Sequence, residues 1–203
     1  MKIVPADDDG IKQASVVIRG GGIVAYPLDS GYALGCLPSD PAATKKICEL
    51  KESAENPLPL ICGDVEMARR IVTFHRTADT LAENFWPGPL SMVLPSKVEY
   101  PMWVMHGKGT LAVCVPSDKV ASKLAQLSRG VIISSSARKQ GDELPKTAEE
   151  VKQRFGYKVD LILDGKPPLN NLQSTILDVS GKEMWILRSG IVSGSEILEA
   201  LKR

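Results

Sequence analysis

The chain is 203 residues long, 43% apolar and 24% charged, and its 25 basic and 24 acidic residues leave a formal net charge of +1. That length fits one domain, and the charge balance excludes a molecule-wide field for gathering nucleic acid, so any phosphate-binding surface must be a local patch. No stretch approaches the roughly 18 apolar residues of a membrane span, Met1 to Gly10 lacks a signal-peptide core, and Cys36, Cys48, Cys62 and Cys114 are spaced too irregularly for a zinc or redox motif.

Glycines open the run Gly20 to Pro27 and a proline closes it, which predicts a buried strand. Asp40 can cap a helix beginning at Pro41, with Ala43, Ile47 and Leu50 on its apolar face. Leu58 to Cys62 reads as a strand, and helical periodicity returns over Val65 to Ile71 and Thr77 to Phe85. Trp86-Pro87-Gly88-Pro89 must end that second helix. Leu90 to Leu94 and Leu111 to Val115 read as strands, and Ser117 is the expected cap of a helix whose stripe is Val120, Ala121, Leu124, Ala125 and Leu127. Val131 to Ile133, Leu161 to Leu163, Thr175 to Leu177 and Met184 to Leu187 are further β-type runs. Thr147 with Glu150 and Ser193 with Glu196 have capping-box spacing. Helices alternating with strands, then strand-rich sequence, predict one twisted mixed sheet with helices packed on it, in a single α/β domain over residues 1–203.

His75 and His106 are the only histidines, and neither has a second ligand at helical spacing, so a histidine metal site or a Ser/His/Asp triad has little to stand on. Hydroxyl-rich turns follow several strands: Pro27 to Tyr32, Ser134 to Ala137, and Gln173 to Thr175. At strand ends such turns suit phosphate or carboxylate oxygens, although a single one is more often only a cap or turn. Lys51, Arg138 and Arg188 are the cations placed to match them, and a lone Lys or Arg is usually just solvated.

Taken in order, Gly21 to Gly35, Phe85 to Leu90, Ser134-Ser135-Ser136-Ala137, Ser174-Thr175 and Leu187-Arg188-Ser189-Gly190 resemble the YrdC-like family of threonylcarbamoyl-AMP synthases over roughly residues 12–193. Asp29 to Cys36 is similar to the YciO-type branch in particular. The resemblance implies a strongly twisted mixed sheet flanked by helices around a basic concave cavity, in a cytoplasmic protein. It also implies a nucleotidyl transfer in which threonine, bicarbonate and ATP give threonylcarbamoyl-AMP and pyrophosphate for tRNA modification, with Mg²⁺ assisting. Lys51 and Arg188 then match catalytic positions; Lys51, Asn56, Thr110, Ser136, Arg138 and Arg188 nucleotide-binding ones; and Ser30, Ser134 and Ser174 the surroundings of the small amino acid. No resident metal site is expected.

Several family positions are changed. Lys-x-Arg becomes Lys51-Glu52-Ser53, and Gly-Val-Arg-x-Pro becomes Ala112-Val113-Cys114-Val115-Pro116, which removes the arginine that clamps the amino-acid carboxylate. Ser-Ala-Asn becomes Ser136-Ala137-Arg138, where Arg138 either reaches a phosphate or faces solvent. These changes leave two expectations open. One is an ATP-using transferase with an altered substrate. The other is a catalytically decayed protein that holds tRNA or double-stranded RNA through Lys45, Lys46, Arg69, Arg70, Lys119, Lys123 and Arg138.

Overall fold

The computed structural model describes residues 1–28, 31–52, 57–105, 109–139, 141–165 and 173–202. Ser30, Ser53, Asn56 and His106 of the sequence reading lie outside them.

In chain order the first half holds β1 (Lys2–Pro5), α1 (Asp8–Arg19), β2 (Val24–Leu28), β3 (Gly31–Gly35), α2 (Pro41–Lys51), β4 (Leu60–Cys62), α3 (Val65–Ile71), α4 (Arg76–Phe85) and β5 (Leu90–Pro95). The second half holds β6 (Thr110–Cys114), α5 (Lys119–Leu127), β7 (Val131–Ile133), β8 (Ser135–Ser136), α6 (Ala148–Phe155), β9 (Leu161–Asp164), β10 (Thr175–Asp178), β11 (Trp185–Arg188) and α7 (Gly194–Ala200).

Caps account for most helix boundaries. Asp40 accepts from the amides of Ala42 and Ala43 and Pro41 opens α2, as its sequence predicts. At α5 the cap is Asp118 rather than Ser117: its carboxylate accepts from the Ala121 amide at 2.7 Å, where a charge gains from the helix dipole as a serine cannot. The Ser193–Glu196 capping box is complete. At α6 only half of the expected box forms, because Glu150 turns to the amide of Lys146, one residue before the cap.

Hydrogen bonding divides the expected single sheet into two, a five-stranded one ordered β1-β9-β2-β3-β8 and a six-stranded one ordered β11-β10-β5-β6-β4-β7. The division falls at Ser134, the one residue between β7 and β8. Its amide donates to Pro59 at 2.8 Å while the chain crosses from the second sheet into the first. The sheets stay joined there, since Ile133 N donates to Cys36 O at 2.9 Å. Both are mixed, with β2–β3 antiparallel and β9–β2 parallel in one, β5–β6 antiparallel and β10–β5 parallel in the other.

The six-stranded sheet has two different faces. On one, Leu177, Met92, Val113, Leu60 and Ile133 stand side by side across five strands, all at 0–1% exposure, and join a large apolar cluster with residues of α2, α3, α4 and α7. On the other, Ile61, Cys114 and Ile132 pack with Ala121, Leu124 and Ala125 of α5, which also touches β2. Helix α5 thus fills part of the space between the sheets, and the remainder is a cavity. All four cysteines are free and buried. Among the described residues, no helix is long and apolar enough to cross a membrane.

Candidate functional site

The cavity has a volume of about 590 Å³ and is bounded by both sheets. Its floor is the second face of the six-stranded sheet: Ile176, Ser91, Cys114, Ala112 and Ile61, none of them charged. Its rim carries Lys51, Arg138, Lys139 and Arg188, contributed by the end of α2, the segment after β8 and the end of β11.

Helix geometry puts Lys51 at the rim. It is the last residue of α2, and the helix stops because Glu52 adopts a left-handed conformation, φ 52°. A lysine there complements the negative end of the helix dipole, and its Nζ donates to the Ser135 hydroxyl. Burial, and with it the guanidinium groups of Arg138 and Arg188, holds the Lys51 pKa below the usual lysine range. Arg138 lines the same cavity as Lys51 and Arg188, and its Nη1 donates to Asp142 O at 3.3 Å. Lys139 is the exception among the four cations, being ion-paired with Glu52.

Arg188 owes its orientation to an irregularity. The β10–β11 pairing shifts register between Ile176 and Leu177, so that Leu187 is the extra residue of a bulge. Leu187 and Arg188 consequently both line the cavity, which consecutive residues of a regular strand would not do. The guanidinium then binds Ser174 three times, Nε and Nη2 to its carbonyl at 3.0 and 2.8 Å and Nη2 to its hydroxyl at 2.9 Å. Gly190 permits this closeness, because a Cβ there would stand 2.3 Å from Gln173 O and 2.5 Å from the Ser174 carbonyl carbon.

Ser134, Ser136 and Ser174 line the same cavity, so six of the sequence-selected residues, with Lys51, Arg138 and Arg188, meet around one hollow. Thr110 begins β6 opposite Pro95 and is not part of the lining. Two cavity residues that the sequence reading had not assigned to the site are Ser91, 3.5 Å from the Ser174 hydroxyl, and Ser135. Ser135 sits inside the triple-serine motif, but only its contact with Lys51 distinguishes it from its neighbours.

Cys114 stands where the family resemblance places an arginine. Its thiol donates to Gly88 O at 3.3 Å, and burial pushes its pKa up to about 12, so it is a neutral group at neutral pH. Asp118 is the one carboxylate on the described lining, and no cluster of three or more His, Cys, Asp or Glu side chains among the described residues is arranged to hold a metal.

The family model described as Sua5_yciO_yrdC, Telomere recombination, matches residues 16–190. The chain belongs to this family. Threonylcarbamoyl-AMP synthase of Pyrococcus abyssi is 34% identical over 189 residues, covering 92% of this chain and 56% of that protein. The structure of P. abyssi Sua5 complexed with L-threonine matches with a TM-score of 0.89 and 32% identity, over 98% of this chain and 59% of that one. The crystal structure of E. coli YciO matches with a TM-score of 0.84 and 28% identity, over 97% of this chain and 98% of that one. The Sua5/YciO/YrdC chain described here therefore spans little more than half the length of the P. abyssi protein and nearly all of the E. coli one.

Proposed function

We propose that this chain is an ATP-dependent nucleotidyl transferase of the threonylcarbamoyl-AMP synthase type. The observation that carries the reading is the convergence of Lys51, Arg138 and Arg188 around one cavity with Ser134, Ser136 and Ser174. No carboxylate among the described residues lies within ion-pair distance of these three cations, although two of them are shifted by the charge of the others. Cations gathered in this way repel one another, and a polyphosphate relieves that repulsion.

In the proposed reaction, an amine and bicarbonate condense to a carbamate with loss of water. A carbamate oxygen attacks the α-phosphorus of ATP, the bond from that phosphorus to the bridging oxygen breaks, and pyrophosphate leaves. Catalysis of this kind is mostly positioning and charge stabilisation, which is what Lys51 and Arg188 are placed to supply. Arg138 takes up a phosphate oxygen and so offsets the loss of the arginine that the family motif carries where this sequence has Ser53. Magnesium arrives on the nucleotide, since it commonly binds through substrate phosphates and retained waters and, among the described residues, Asp118 is the one carboxylate on the lining.

The uncharged floor bears on the second substrate. Cys114 provides no charge for an amino-acid carboxylate, and the nearest remaining cation to the Ser91–Ser174 pair is Arg188. The amino acid is accordingly a small one whose carboxylate is held weakly or through Arg188. The test is to incubate purified protein with ATP, Mg²⁺, bicarbonate and each of a panel of small amino acids, threonine included. Pyrophosphate released above the amino-acid-free blank supports the reading, and none with any amino acid refutes it. The RNA-holding alternative has no observation of its own in its favour: Lys45, Arg69 and Lys123 are already ion-paired with Glu49, Asp79 and Asp8.

A further inference from the structure

We propose that Ser135 is a positioning residue for Lys51, its hydroxyl holding the ammonium group against the cavity wall and favouring its protonated form. This rests on the reading of the cavity as a phosphate site.

Three features of the structure support it. Ser135 is 1% exposed and belongs to a two-residue strand whose backbone pairs with Ala33 and Leu34, so its Cβ is fixed by the sheet and cannot follow a moving partner. Lys51, by contrast, has a four-carbon stem at the very end of a helix, and its position is set by whatever accepts from Nζ. The pairing in β8 uses backbone groups alone, so strand formation does not require a hydroxyl at position 135.

The charges facing Lys51 explain why the acceptor is a hydroxyl. From the segment after β8 comes Arg138, and from β11 Arg188, while on the helix of Lys51 itself the Cys48 thiol, its pKa raised by burial, is uncharged at neutral pH. Lys139, on the lining, is paired with Glu52, and Asp118 also stands on the lining. Burial and both guanidinium groups disfavour a charged Lys51. A carboxylate partner would restore the charge but cancel it toward a ligand and repel phosphate oxygens. A serine oxygen stabilises the ammonium as an acceptor, leaves the site net positive, and keeps its own O–H free to turn toward a bound anion.

The experiment measures ATP binding by calorimetry from pH 7.5 to 10, where the triphosphate is fully ionised, on the wild type, Ser135→Ala, Ser135→Thr and Lys51→Met, with thermal unfolding confirming that each is folded. For the wild type, affinity falls as pH rises and Lys51 loses its proton. Ser135→Ala is expected to weaken binding about tenfold near pH 8 and to start that fall at lower pH, Ser135→Thr to match the wild type, and Lys51→Met to flatten the fall. If Ser135→Ala binds ATP like the wild type across the range, or if Ser135→Thr is as weak as Ser135→Ala, the positioning role is wrong. Absence of ATP binding by the wild type overturns this proposal and the phosphate-site reading together, whereas binding without pyrophosphate release removes only the proposed reaction.

Discussion

The two faces of the six-stranded sheet are built on the same strands and differ in what they leave unsatisfied. Met92 and Ser91 are neighbours on β5: Met92 is fully buried in the apolar cluster, and Ser91 turns to the cavity and pairs with Ser174. On the closed face every side chain is matched by another, and stability is its product. On the open face the floor is neutral and the rim gathers Lys51, Arg138 and Arg188, whose like charges add to the cost of burying Lys51 and Arg188. The comparison teaches that stability and function are separable here along a single strand, residue by residue, because the pleat sends alternate side chains to opposite sides.

The strongest way to break that separation is Met92→Ala. Truncating a fully buried side chain leaves a cavity, and the expected cost is about 2–5 kcal/mol in the free energy of unfolding, read by denaturant titration. ATP affinity of the molecules that remain folded should stay within a few-fold of wild type. A large loss of affinity at unchanged stability would show the two faces to be coupled. Next comes the rim. Lys51→Ala or Arg188→Ala should lower pyrophosphate release roughly 100- to 1,000-fold, the scale seen when one preorganised charge-stabilising group is removed. The melting temperature should hold or rise for Lys51→Ala, which removes a partly buried cation that repels its neighbours, and should fall for Arg188→Ala, which also gives up three hydrogen bonds to Ser174.

How far the sequence disclosed these two faces follows the same division. The closed face was legible, since Leu60, Met92, Val113, Ile133 and Leu177 lie in apolar runs that read as strands. Lys51 and Arg188 were legible as candidates through family motifs, and Arg138 as a departure from one. Their convergence was not, because it depends on a bulge at Leu187 and on a crossing between sheets at Ser134, neither of which has a local signal. Strands β1 and β8 escaped for a related reason. Strand β1 buries only Val4 and pairs with residues about 160 positions away, Lys2 opposite Leu161; β8 is two serines made into a strand by Ala33 and Leu34. Polar or barely patterned segments become strands when tertiary pairing overrides their propensity.

A smaller effect sharpens the contrast from the far end of α2. Asp40 caps the helix that carries Lys51, accepting from Ala42 and Ala43 at 2.9 and 3.0 Å. Asp40→Ala should cost about 1 kcal/mol of stability and change ATP affinity less than twofold, since Lys51 is held at its tip by Ser135 rather than by the helix start. A loss of affinity as large as that of Ser135→Ala would mean that the rim is positioned by the helix as a whole.

The smallest expected effect concerns pH and stability, and its sign is fixed by the direction of the Lys51 shift. Burial and two guanidinium groups make the folded protein release the Lys51 proton more readily than the unfolded chain, whose value is the ordinary 10.5. Between the lowered native pKa and 10.5, the unfolded state therefore binds more protons, and the contribution of Lys51 to unfolding free energy rises with pH. Below that window both states hold the proton and the burial cost stands in full. Denaturant titrations at several alkaline pH values, comparing the wild type with Lys51→Met, isolate this term from the other titrating groups. The wild type should gain on the variant as pH climbs toward 10.5. A difference that stayed flat, or shrank, would mean that Lys51 titrates in the folded protein as it does in the unfolded chain, and that the rim is less crowded with charge than its geometry requires.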